Sequence, residues 1–354
     1  MFDPMSILSE NIKTLKPYEP HCYNDVIKLD ANENPYPLPK KVLDDITKVL
    51  TNISFNRYPD PAALELREKI AGYAGVETRN ILVGNGSDEI ILNIMLAFGC
   101  DKRIIITEPT FSVYKIHAQI AKAKPVPVKR DENFNIDIQK LLKASENAAI
   151  IVICSPNNPT GNVTSLKEVE FILQNTNALV VVDQAYLEFG GENCIPLVEK
   201  YPNLLVLRTF SKAFGIAALR VGYAVASAEI IKLLARVKQP YNLSAFSQVA
   251  ARTALDHISE FKKQWQRIID SKVKLFKELS KIQSIKVYPT DANYILFFVG
   301  NRAEFIHSEL LKRKILIRNL GKDMPGYLRV SIGTEEENKA FLNSLIPILN
   351  ERNV

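Results

Sequence analysis

The sequence is short of the residues that hold metals or crosslinks. Its four cysteines, Cys22, Cys100, Cys154 and Cys194, fit neither a zinc spacing nor a C-x-x-C redox pair. The four histidines, His21, His117, His257 and His307, include no pair at i, i+4. A metal enzyme is therefore not expected. No apolar run approaches the ~20 residues of a membrane span, and the N-terminus carries Asp3 and no apolar signal run. Basic residues do not cluster either. The net charge is +6, spread among both signs, and the Lys312–Lys314 run is short enough to be a solvated helix face. That argues against a nucleic-acid stripe. Repeats and low-complexity segments are missing too. A reduced, soluble, cytoplasmic protein with no nucleic-acid and no membrane partner is the expectation.

What is present is ordinary globular material, 47% hydrophobic and 24% charged. A length of 354 residues suits one large domain, or a large one with a smaller companion. Residues 1–28, with Pro4, Pro17 and Pro20, read as an N-terminal arm lying on something else, such as a partner subunit. An irregular proline-rich stretch, LDANENPYPLP, covers 29–39, and a short amphipathic helix follows at 40–50. The stretch 55–75 starts as a loop and becomes a helix, with Pro61 in its first turn after Asp60.

From 81 to 212 strands and helices alternate. Apolar strands are expected at 81–84, 103–109, 148–156, 178–186 and 203–212, with helices at 85–99, 111–123 and 165–176. Near-continuous apolar runs are what parallel strands buried on both faces need. The proline-bearing strand at 124–130 suits a sheet edge. Together these predict a doubly wound α/β sheet. VGYAVA at 221–226 has no crossover helix before it, so an antiparallel strand is expected. A long helical region from 242 to about 282 precedes strands at 284–289 and 292–299, a helix at 303–314, two more strands and a terminal helix. The expected division is an arm (1–28), a large ligand-binding domain (29–265) and a smaller α+β C-terminal domain (266–354).

Ligands of such sheets sit beyond the carboxyl ends of the strands. Reading those ends gives a short list with two meanings each. Asn85, Gly86 and Ser87 open a helix, where one of them caps it or its free N–H groups hold a phosphate. Asp183 ends an apolar strand. It is a loop carboxylate or the ionised partner of a buried cation. Tyr186, three residues on, is a core-edge aromatic or a phenol donor. Asn158, fixed in SPNNPTG, bonds its own turn or donates to a ligand oxygen. Tyr114 is core or stacks on a flat ring. Arg220 makes a surface ion pair or clamps a phosphate. Lys212, in FSKAFG on the loop after a buried strand, is one of many solvated lysines or an amine placed to attack a carbonyl.

Singly these are weak; together, in order along successive strand ends, they are the parts that hold pyridoxal 5′-phosphate (PLP). The chain resembles the fold-type I PLP-dependent aminotransferases of the class I/II group over essentially its full length. Within that group it is most similar to the histidinol-phosphate aminotransferases. The carrying stretches include LDANENPYP, RYPDPAALELREKIA, VGNGSDE, SPNNPTG, VVDQAY, RTFSKAFGIAALRVGY and GYLRVSIGTEEEN.

The resemblance implies roles. Lys212 would form the Schiff base and move the proton, and Asp183 would hold the ring nitrogen. Asn158 and Tyr186 would bond the ring oxygen, and Tyr114 would stack. Gly86, Ser87, Thr209, Ser211 and Arg220 would hold the phosphate, joined by Tyr58 from the neighbouring subunit of a homodimer. Arg329, with Arg318 and Tyr18 nearby, would bind the anionic end of a small-molecule amino donor or 2-oxo acid. The implied reaction takes histidinol phosphate and 2-oxoglutarate to imidazole-acetol phosphate and glutamate. An aromatic amino-acid aminotransferase or a phosphothreonine decarboxylase would keep every cofactor residue, and a PLP-binding protein without turnover is a further alternative. Two positions depart from the pattern. YEPHC at 18–22 stands where Tyr-x-Pro-Gly-Lys is usual, and AALR at 217–220 where Ala-Gly-Leu-Arg is usual.

Overall fold

The computed structural model describes residues 2–15, 23, 25–321 and 323–351, so Tyr18 and Cys22 lie outside the described residues. Among the described residues twelve strands follow one another. They are β1 (Ile27–Leu29), β2 (Ile81–Asn85), β3 (Arg103–Glu108), β4 (Lys124–Lys129), β5 (Ala148–Cys154), β6 (Leu179–Asp183), β7 (Leu204–Thr209), β8 (Val221–Ala226), β9 (Lys286–Val287), β10 (Tyr294–Phe298), β11 (Ile315–Asn319) and β12 (Tyr327–Ser331). They form two sheets, a seven-stranded one in the order β2-β8-β7-β6-β5-β3-β4 and a five-stranded one in the order β1-β11-β12-β10-β9.

The large sheet is parallel except for β8, which runs antiparallel to both β2 and β7. The proline-bearing β4 is an edge, where missing N–H donors cost least. Alternation along the central strands buries both faces. Ile151, Ile153, Val180, Val182, Leu204 and Val206 join one core. Ile150, Val152, Val181, Leu205 and Leu207 join the other, under the helix Gly86–Ile94. That two-sided burial is why these strands read as unbroken apolar runs.

The smaller sheet draws on both ends of the chain. β1 pairs in parallel with β11, Ile27 opposite Ile315, although they are far apart in sequence. The remaining pairs are antiparallel. The expected strand at 284–289 shrinks to Lys286–Val287, which meets only Phe297 and Phe298 of β10 before Pro289 intervenes. The expected single helical region is two helices, Ala245–Asp256 and Ile258–Leu279. His257 leaves the helical conformation between them, and its Nε2 lies 2.8 Å from Asp45 Oδ2.

Helix Ile258–Leu279 buries Phe261, Trp265, Ile268, Leu275 and Leu279, the spacing of one helical face. Trp265 gives the indole N–H a partner as well, donating to Ala213 O at 2.7 Å, next to Lys212. The terminal helix Glu335–Asn350 starts on a capping box, Thr334 with Glu337, as the Thr-x-x-Glu spacing dictates. Among the described residues no helix is long and apolar enough to cross a membrane.

Candidate active site

Lys212 sits in the turn after β7. The turn is held by buried Phe210, Ala213 and Phe214 and by a left-handed Gly215 (φ 63°) packed on Asn34. Its Nζ donates to Ala31 O at 2.8 Å and stands 6.0 Å from the centre of the Tyr186 ring. Burial, reinforced by the nearby Arg329 guanidinium, lowers the ammonium pKa to about 8. A usable fraction of free amine therefore exists near neutral pH.

Asp183 closes β6, 3% exposed, opposite Cys154 of β5. Burial pushes its carboxyl up to about 6, although two hydrogen bonds pull the other way. One comes from Ala185 N at 3.1 Å and the other from the Tyr114 hydroxyl at 2.7 Å. That second bond corrects an expectation. Tyr114 is 0% exposed, so neither ring face is open to stack on a ligand. The helix Val113–Ile120 turns this residue inward, beneath the strand ends, and its hydroxyl serves Asp183. Phe111, edge-on to Tyr114 at 5.6 Å and 89°, is the aromatic of this turn that keeps exposed surface.

Tyr186 is 5% exposed, and its hydroxyl oxygen accepts from Asn32 Nδ2 at 3.0 Å. The phenol proton is thus left to go elsewhere. Asn158 Oδ1 accepts from Arg329 Nη1 at 2.5 Å, which leaves the amide N–H groups free to donate. Arg329 Nη2 donates to Asp30 O at 2.6 Å, while its buried Nε has no hydrogen-bond partner among the described residues. Burial lowers the Arg329 pKa, and Arg318 pushes the same way. Arg318 lies opposite it on β11, so both side chains share one face, one buried and one exposed. Two guanidiniums side by side, with no carboxylate paired to either among the described residues, suit an anion.

The loop 30–34 binds this assembly together, and sequence reasoning gave it no role. Asn32, 1% exposed and left-handed (φ 55°), joins Tyr186 to Ser331 of β12. Asn34 Nδ2 donates to Ala213 O at 3.0 Å. The signals available were a polar, proline-rich run with no periodicity and the family resemblance carried by LDANENPYP, neither of which names a contact.

The phosphate-type cradle lies at the start of helix Gly86–Ile94. Gly86 N donates to Arg220 O at 2.7 Å, and the Arg220 guanidinium folds back over the same glycine. Its Nη1 donates to Ser211 Oγ at 3.4 Å and its Nη2 pairs with Asp88 at 2.8 Å, so the expected surface ion pair is present alongside the cradle. Thr209 stands behind this group. Its hydroxyl donates to Val221 O and accepts from Ser211 N, so it shapes the turn. Tyr58 is 81% exposed and stacks on Tyr241, ring centres 4.5 Å apart.

The donor set fits PLP. A buried acid suits the ring nitrogen, a phenol and an amide suit the ring oxygen, and an amine of lowered pKa suits the aldehyde. Gly86 is left-handed (φ 77°), a conformation that favours glycine, and a Cβ there would also press on the Arg220 guanidinium. The unpartnered Nε–H of Arg329 calls for a further acceptor.

Known proteins agree. The histidinol-phosphate aminotransferase of Caldanaerobacter subterraneus subsp. tengcongensis is 42% identical over 353 residues, covering 98% of this chain and 99% of that protein. The crystal structure of the Clostridium acetobutylicum histidinol-phosphate aminotransferase superposes with a TM-score of 0.85 at 26% identity, over 91% of this chain and 99% of that one. The Sinorhizobium meliloti histidinol-phosphate aminotransferase, solved in complex with pyridoxal-5′-phosphate, shares the fold with a TM-score of 0.88 at 22% identity, over 97% and 98% of the two chains. Residues 24–345 match the family of class I and II aminotransferases, and the chain belongs to that family.

Proposed function

We propose that this chain is a PLP-dependent transaminase that takes the amino group of histidinol phosphate and passes it to 2-oxoglutarate, working as a cytoplasmic homodimer. The observation that carries the substrate assignment is the 42% identity, end to end, with a protein of that name. The paired arginines on β11 and β12 support it, since a planar guanidinium can hold the phosphate of one substrate and a carboxylate of the other.

Bound PLP supplies an aldehyde for the amino group and a ring that accepts electrons from the reacting carbon. The protein does the rest. Gly86, Ser87, Ser211 and Arg220 would hold the phosphate at the helix start. Asp183, kept ionised by Tyr114 and Ala185 N–H, would hold a proton on the ring nitrogen. Tyr186 and Asn158 would donate to the ring oxygen, and Phe111 would cover the ring face in the role expected of Tyr114. Lys212 Nζ would take the proton from the substrate carbon that bears nitrogen, as base, and then deliver it to the carbon of the cofactor's former aldehyde, as acid. Arg329, with Arg318, would set the substrate in place. Tyr58, exposed on this protomer, would reach the phosphate of its partner.

The test is a panel of half-reactions with the PLP-loaded protein. Histidinol phosphate should convert the visible absorbance to that of the amine form, and 2-oxoglutarate should restore it. Conversion by phenylalanine alone would favour an aromatic aminotransferase, and release of carbon dioxide from phosphothreonine a decarboxylase. Borohydride should fix the cofactor covalently to the wild type and not to Lys212→Ala. A protein that stays colourless with added PLP would end this reading.

A further inference from the structure

Behind the crevice, on the face of the large sheet away from helix Gly86–Ile94, lies an ion pair that the reaction does not use. Arg208 Nη2 and Glu188 Oε1 are 2.6 Å apart, with each side chain 5% exposed. Arg208 is the next-to-last residue of β7, on the strand that leads into Lys212. Glu188 belongs to the turn Leu187–Phe189, immediately after Tyr186. Tyr73, Tyr223 and Cys194 are the titratable groups around the pair, and none brings a second full charge.

The same turn is gripped twice more. Lys272, 8% exposed on helix Ile258–Leu279, donates its Nζ to Phe189 O at 3.0 Å. Gly190 is packed so closely on Asp291 that a Cβ would stand 2.8 Å from its backbone oxygen. Three elements therefore converge on the four residues that follow directly on Tyr186. A buried ion pair is a poor source of stability, because desolvation offsets most of its attraction. What it does supply is fixed geometry. On its other side the Tyr186 hydroxyl accepts from Asn32, and the ring meets Tyr294 edge-on at 5.1 Å.

We propose that Arg208 and Glu188 are a positioning pair, which ties the turn 187–190 to the strand carrying Lys212 and so fixes where the Tyr186 phenol stands relative to the lysine. This rests on the reading of the crevice as a PLP site.

The experiment uses the PLP-loaded protein and reads the pH midpoint of its visible absorbance, which the donor to the ring oxygen controls. Arg208→Met with Glu188→Met removes both charges at similar length. The expected result is a midpoint shift of roughly half a unit or more and a fall in kcat of about tenfold, with KM little changed. Introduced into Tyr186→Phe, the same double substitution should add no further shift, because the two changes act through one contact. Lys272→Met loosens the same turn without leaving a lone charge and should shift the midpoint in the same direction. It decides the matter alone if the double variant does not fold. Wild-type midpoints in the folded variants, or a shift that persists undiminished in Tyr186→Phe, would overturn the proposal. A wild type without any visible band would instead overturn the PLP reading, so the two failures are distinguishable.

Discussion

At neutral pH two groups in the crevice carry charges that their surroundings oppose. Asp183 has a folded-state pKa near 6, against 3.8 for the free side chain. Its folded form binds the extra proton between those values, so its stabilising contribution is complete below about pH 4 and lost as pH rises through 6. At pH 7.5 the ionised carboxylate costs the cofactor-free fold roughly 3 kcal/mol. Lys212, lowered to about 8, works in the opposite sense. Its contribution is complete above 10.5 and lost as pH falls through 8. Both penalties coexist at physiological pH, and a cationic ring nitrogen and an aldehyde would relieve them. Cofactor-free Asp183→Asn is therefore expected to melt above the wild type at pH 7.5, with the gap closing by pH 5. Parallel melting curves across that range would show that Asp183 does not titrate there. Tyr114→Phe removes a donor to the carboxylate, so it should move the wild-type transition to higher pH.

Elements carry the site because their ends are held flush, and glycine makes that possible at Gly222. A Cβ there would stand 2.3 Å from Ser87 N and 2.6 Å from Gly86 C, both backbone atoms that no rotamer change can move. Gly222→Ala must displace the start of helix Gly86–Ile94. We expect a loss of about 1–3 kcal/mol in denaturant unfolding, together with at least a roughly tenfold weaker hold on PLP in equilibrium dialysis, about 1.4 kcal/mol. Gly72, inside helix Leu64–Ala74, has nothing within 4 Å of its missing Cβ. Gly72→Ala should gain up to about 1 kcal/mol and leave PLP binding untouched. If both substitutions behave alike, close packing at Gly222 is not what holds the cradle.

Legibility in the sequence followed the same division. The strands leading to Asp183 and Lys212 were readable from their apolar runs, but they stop at Asp183 and Thr209, short of the expected 186 and 212, because the polar residues beyond leave the sheet. The antiparallel sense of β8 followed from its missing crossover. β1 was not readable, since three residues, Ile27–Leu29, carry no period and their partner comes almost at the other end of the chain. Asn32 was hidden for the same reason, its contacts being Tyr186 and Ser331. Tyr114 and Phe111 differ by less than one helical turn, and only packing decides which of them points inward.

For the whole molecule, the exposed aromatics raise the question of a second copy. Phe55 and Tyr58 are each 81% exposed, yet both are ordered against rings of a neighbouring segment, Phe246 and Tyr241. Such a cluster facing water loses the hydrophobic gain of its own rings unless something covers it. A symmetric dimer would cover it twice over, because an isologous contact buries the same patch on both protomers. The proposed function asks the same contact to bring Tyr58 to the partner's phosphate cradle. The two roles separate by mutation. Phe55→Asp buries a carboxylate in the contact and is expected to yield monomers in sedimentation, with PLP lost from both sites. Tyr58→Phe keeps the ring and removes only the hydroxyl. It should sediment as the wild type does while binding PLP roughly ten times more weakly, the effect of one hydrogen bond to a charged group. A wild type that sediments as a monomer at concentrations where it turns over at full rate would show that each chain completes its own site.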